Sequence, residues 1–350
     1  MGVFHFFKSG VQKMPSKGLR WKSAVILILP FPILIASLFI GTYQVPPQSI
    51  LAIIFSPITH ANIPEVYRLV IIDIRLPRII LALVGGLALS VSGGSLQSLF
   101  RNPLVDSYVL GVSAGAGFGA ALAIAFVPNS PWIVQAFAFF FGFVSFLLTY
   151  SVARNRGEVP VVSLVLGGII VTALFTAGLS MIKFFTSPEQ LASIVYWLMG
   201  SLSLASWNVV LQVLPLVLLG FLFVFLMRWR LNVLSMGDEE AKALGVNVER
   251  DRFIILLVTT LMVSALVAVT GIIGWIGLIV PHIVRMFVRT SDNRVVIPLS
   301  AALGAIFLLL ADDFARSLTT FELPVGLITT LIGAPFFLYL LKRSGGLGWK

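Results

Sequence analysis

Apolar runs of about 20 residues recur along this chain, and each is long enough to cross a hydrocarbon core of roughly 30 Å as a helix. Inside such a core every backbone N–H and C=O must find a partner within the protein, which leaves helices or a closed barrel. A barrel would show alternating segments of about ten residues, and the sequence has none. An all-α polytopic membrane protein follows. Charge agrees: 11% of residues are charged and the mean hydropathy is +1.03, whereas a soluble surface needs about a quarter.

Reading apolar runs between polar breaks predicts ten spans, at 23–42, 77–99, 107–127, 131–152, 160–184, 207–227, 253–271, 274–289, 295–313 and 324–341. They make one transmembrane domain over 23–342, flanked by a basic tail at 1–22 and a short tail at 343–350, with a long loop at 228–252. The stretch 185–206 reads as a short interfacial or re-entrant segment. With the N-terminus inside, 19 of the 24 Lys and Arg fall on inner segments and five, at 68, 75, 78, 183 and 316, on outer ones. That asymmetry is the one cytoplasmic loops carry, so both termini are expected in the cytoplasm of a cell-membrane protein. It also accounts for the net charge of +10 without nucleic acid.

The absence of cysteine excludes disulfides and thiolate chemistry. No Gly-x-x-x-x-Gly-Lys-Ser/Thr loop is present to hold ATP, and His5, His60 and His282 form no ligand or triad pattern. No enzyme activity, metal or cofactor is expected of this chain. Lys183, Arg285, Asp312 and Asp313 lie near predicted span ends, so mid-span charge for an ion relay is scarce.

Three local patterns remain. Gly86, Ser90 and Gly94, and again Gly111, Gly115 and Gly119, recur at intervals of four, the spacing of close helix packing or of a flexible gate. Within the long inner loop, Asp238, Glu239, Glu240, Ala241, Leu244, Gly245 and Val246 read as a short helix. Its acids suit the dipole at the N-terminus, and Gly245 suits a left-handed cap. It is either a solvated connector or a helix that a soluble partner grips through Ala241, Leu244 and Val246. On the outer side, Arg75, Arg78 and Arg316 either receive a partner's carboxylates or pair locally with Asp73, Asp312 or Asp313.

Motifs in order along the chain resemble the permeases of importers for iron–siderophore complexes, haem and cobalamin, often called the FecCD family. They are Arg75-Leu76-Pro77-Arg78, Gln97 to Leu104, Leu110 to Gly117, Ala243 to Val246, Gly277 to Arg285, Ala311-Asp312 with Arg316, Glu322 to Gly326, and Gly333 to Phe337. The resemblance implies the type II ABC importer permease fold, in a homodimer with two cytoplasmic ATPase subunits and one external substrate-binding protein. It implies that Arg75, Arg78 and Arg316 receive the binding protein and that Asp238 to Val246 is the coupling helix on the ATPase. Asn102 and Leu104 correspond to the cytoplasmic gate of the cobalamin importer. Val161 and Val162 match a second gate element, aliphatic here where that importer is more polar. A ferric siderophore is the first expected cargo, with haem, cobalamin or a molybdate-type oxyanion as alternatives. The competing reading is a stand-alone secondary transporter or channel.

Overall fold

The computed structural model describes residues 17–55, 63–127, 130–155, 157–318 and 322–343. The expected tail 1–22 lies outside the described residues as far as residue 16, and the tail 343–350 from residue 344. His5 and His60 lie outside them as well.

The described residues are helical, with no strand beyond an isolated bridge between Asn155 and Glu158. In chain order the helices are α1 (Lys17–Ile28), α2 (Pro30–Ser37), α3 (Pro47–Ile54), α4 (Glu65–Leu99), α5 (Val112–Phe126), α6 (Pro131–Ala153), α7 (Val161–Phe185), α8 (Pro188–Leu198), α9 (Trp207–Leu234), α10 (Asp238–Ala243), α11 (Val248–Thr270), α12 (Ile276–Val288), α13 (Asn293–Ser317) and α14 (Val325–Arg343). Six of them, α4, α6, α7, α9, α11 and α13, are long and apolar enough to cross a membrane alone. Four shorter apolar helices, α1–α2 taken together, α5, α12 and α14, fall on the remaining expected spans.

Helix α4 is the axis of the subunit. Its 35 residues rise about 52 Å, and it packs along α13, α12, α11 and α9. At Gly86 a Cβ would overlap the Gly304 carbonyl of α13, and at Gly93 it would overlap the Gly277 carbonyl of α12. These backbones touch because hydrogen fills the space a methyl group would need. Ser90 Oγ donates across the first contact to the Ser300 carbonyl at 2.7 Å. Gly115 and Gly119 pack likewise on the Phe141 and Phe137 carbonyls of α6. Tight packing, one of the two readings of these stripes, is what they display; on α4 the second close approach falls at Gly93 rather than Gly94.

Two expected boundaries require correction. The helix of the second span begins at Glu65, twelve residues before the expected start, and inside it lies Pro77. A wider π turn over Val70–Arg75 precedes it. Such a turn relaxes the hydrogen-bond ladder where proline has no N–H to give, and the Ile72 carbonyl accepts from Trp207 Nε1 at 3.0 Å. The third span becomes α-helical only at Val112. Residues Ser107–Leu110 form a tight 3-10 turn capped by the Asp106 carboxylate, and Gly111 has a φ of 78°. That turn is wedged between α6 and α7, with the Leu110 carbonyl accepting from Thr149 Oγ1 at 3.0 Å. Tyr108 Oη donates to the Ile273 carbonyl at 2.6 Å, joining the turn to the irregular stretch before α12.

Candidate functional site

The three predicted arginines converge where the ends of α2 and α13 meet the body of α4, on the side that the charge count assigns outside. From Arg78 to Leu99 the helix rises about 32 Å, which places Arg78 at the edge of the hydrocarbon core. Nε and Nη2 of Arg78 clasp Asp312 at 2.9–3.1 Å, and Nη1 reaches Glu322 at 2.8 Å. Arg316 donates to Asp313 and to Ser37, whose hydroxyl donates to Asp313 at 2.6 Å. Arg75 donates to the Leu38 and Tyr43 carbonyls. All three arginines are buried, at 4–6% exposure. Local pairing with Asp312 and Asp313 is therefore present; Asp73 is exposed and takes no part. Glu322 is the member of the cluster whose side chain is substantially accessible, at 36%. Asp312 and Asp313 lie inside α13, which continues to Ser317, rather than at its end.

At the opposite end, α10 begins with Asp238, Glu239 and Glu240, and Gly245 closes it with a φ of 76°. Ala241 and Val246 point into the body, while Leu244 stands out at 56% exposure. The apolar surface expected from all three reduces to Leu244 with its flanking charges, because the other two anchor the helix. Arg101, in a left-handed conformation, lies beside Gly237 together with the Glu240 carboxylate. It leads into the predicted gate residues: Asn102 Oδ1 accepts from the Leu104 N–H at 2.9 Å, and Leu104 is exposed. Val162 is exposed at the start of α7, next to the partly buried Val161.

Arg252 escaped the sequence reading. It sits in the second turn of α11 with 2% exposure, one of the largest fully buried side chains. Nη2 donates to Asp238 at 2.7 Å; Nη1 donates to the Val159 carbonyl at 2.8 Å and to Glu249 at 3.2 Å. The other Glu249 oxygen accepts from the Val159 N–H at 3.1 Å. The only sequence signal was the Glu249–Arg252 spacing of three, common on any helix surface. Helix α8, the expected short segment, carries a Ser187–Gln190 capping box and lies between cavities of about 760 and 450 Å³.

Comparison with known proteins gives these features a setting. Residues 26–343 match the profile of the FecCD transport family. A Helicobacter pylori protein named "Probable iron chelatin transport system permease protein" is 43% identical over 278 residues, covering 79% of this chain and 84% of that one. The molybdate import system permease protein of Haemophilus influenzae is 38% identical over 315 residues, covering 89% and 93%. A solved chain described as a metal-chelate type ABC transporter in an inward-facing conformation superimposes with a TM-score of 0.81. It is 35% identical and covers 94% of this chain and 100% of that one. Matched from residue 26 to residue 343, with the same helical fold, the chain belongs to the FecCD transport family and is a multi-pass membrane permease of an ABC importer.

Proposed function

We propose that two copies of this chain form the pathway of an importer for a metal chelate, delivered by an external binding protein and driven by two cytoplasmic ATPase subunits. The observation that carries this reading is α10: a six-residue helix anchored by buried Ala241 and Arg252 while Glu239, Glu240 and Leu244 stay exposed. A solvated connector has no need of a fully buried arginine to hold it. A helix that transmits force must be fixed to the body on one side and open to a partner on the other. Arg101 beside Gly237 brings the gate loop of Asn102 and Leu104 against the same element.

On the outer side, the cluster of Arg75, Arg78 and Arg316 is assigned to binding-protein contact. Its forks are already satisfied within the chain, so a docking carboxylate would exchange with the accessible Glu322 on Arg78. The proposed cargo class rests on placing the exposed faces of α7 and α14 along the pathway. Val162, Leu166, Ile169, Ile170 and Leu174 on α7, and Leu327, Leu331 and Ile332 on α14, are aliphatic and exposed. Such walls suit a bulky organic chelate, whose metal is wrapped by its ligand. They offer little to a small oxyanion, which must exchange its hydration shell for hydrogen bonds. A ferric siderophore is the assigned cargo.

The stand-alone transporter is disfavoured because Asp251, Asp312 and Asp313, all buried, are each held by an arginine. The test is reconstitution with the cognate ATPase and binding protein. Uptake of ferric chelate should require ATP and all three components, and Leu244→Asp should lower it about tenfold by weakening the ATPase contact. Concentrative uptake by the permease alone would overturn the reading.

A further inference from the structure

We infer that Arg252 is a positioning residue that fuses the coupling helix to the start of α7, so that α10 and the gate valines move as one body. The inference rests on the importer reading above, and it names the connection that reading leaves open. Asp238 opens α10, and Val159 lies two residues before Val161. One planar guanidinium donates to both, at 2.7 and 2.8 Å.

The connection is stiff for identifiable reasons. Arg252 is buried at 2% exposure, and its hydrogen bond to the Val159 carbonyl is shielded from water. An arginine fork fixes two acceptors in one plane, which a lysine cannot do. Glu249 completes a ring: it accepts from Arg252 Nη1 and from the Val159 N–H, so both polar groups of the Val159 peptide backbone are held. The segment before α7 is itself braced, with Asn155 and Glu158 exchanging backbone hydrogen bonds at 2.9 and 3.0 Å. Pro160 then leads directly into α7. An exposed pair, Lys242 with Glu158 at 3.6 Å, spans the same two elements at the surface. A displacement of α10 by the ATPase therefore reaches Val161 and Val162 through the two Nη groups of a buried guanidinium rather than through a loop. Among the described residues, Arg230 forms another ion pair at this end of the subunit. With its side chain 39% exposed, it donates to buried Asp251 within α11 and makes no hydrogen bond to α10.

The experiment uses the complete importer in proteoliposomes, measuring ATP hydrolysis and chelate uptake in parallel. Arg252→Met should leave hydrolysis within about twofold of the parent and lower uptake per ATP about tenfold, the size of a typical coupling term. Arg252→Lys should recover part of that loss, and Arg230→Met should leave the uptake-to-hydrolysis ratio unchanged. A second arm does not depend on the Arg252 variants folding. The chain has no native cysteine, so Glu158→Cys and Lys242→Cys can be joined by a short thiol-reactive linker with Arg252 in place. If the two elements already move together, the linked importer keeps the uptake-to-hydrolysis ratio of the same double-cysteine protein before linking. Blocked uptake after complete linking, or a proportional fall of hydrolysis and uptake in Arg252→Met, would overturn the inference. Failure of the parent complex to show ATP-driven uptake would instead overturn the importer reading.

Discussion

Helices α4 and α7 are equally apolar and differ completely in what surrounds them. In its most apolar stretch α4 is 83% buried within the subunit, and α7 is 28% buried. The difference lies in residue size. α4 carries Gly85, Gly86, Gly93 and Gly94 with Ser90, Ser92, Ser95 and Ser98, which let α13 and α12 approach it at backbone distance. α7 presents Val162, Leu166, Ile169, Ile170 and Leu174 outward, large side chains that this subunit leaves 55–69% exposed. Hydropathy thus decides that a segment enters the bilayer, and side-chain volume decides whether it becomes axis or wall.

Substitutions of graded severity test that contrast. The largest effect is expected from Gly93→Leu or Gly86→Leu, because the new side chain meets backbone that cannot rotate away. Loss of more than about 3 kcal/mol is expected, read as disappearance of the monodisperse species in detergent. An equally stable Gly93→Leu protein would break the comparison. Next is Asp312→Asn, which removes one of the two carboxylates paired with each of Arg78 and Arg316. A cost of about 1.5–3 kcal/mol is expected, with much of it recovered when Arg78→Met is combined with Asp312→Leu; thermal melting of the purified protein measures both. The smallest pair sharpens the contrast. Ser90→Ala removes one interhelical hydrogen bond worth about 0.6 kcal/mol, and Ile169→Ala on the exposed wall should shift subunit stability by less than about 0.5 kcal/mol. If Ile169→Ala proves as damaging as Ser90→Ala in the isolated subunit, α7 is not the free wall described.

Much of this architecture was legible in the sequence. Periodic hydropathy located the ten apolar segments, and Asp238 with Gly245 marked both ends of α10 through dipole and left-handed cap. Illegible features were those set by partners distant in sequence. Pro77 read as a boundary because a π turn that shelters it has no local signature. For Arg75, Arg78 and Arg316 the sequence left a partner's carboxylates and local pairing as alternatives, and the acceptors it did not offer, the Leu38 carbonyl and Glu322, meet them only when α2 and α13 close on α4. Arg252 looked like ordinary surface charge, and its burial depends on Val159, 93 residues earlier in the chain.

The two interrupted segments carry a consequence for how the subunit is made. α5 has 15 residues and α12 has 13, about 22 and 20 Å of helix, too short to traverse the bilayer unaided. Each continues through bent backbone whose amides would be intolerable against lipid tails. Neither can therefore rest in the membrane as an independent unit, and the Tyr108–Ile273 hydrogen bond makes each part of the other's shelter. Biogenesis must hold both back until α4 and its neighbours have walled off a refuge, so maturation of this permease is an ordered rather than a piecewise event.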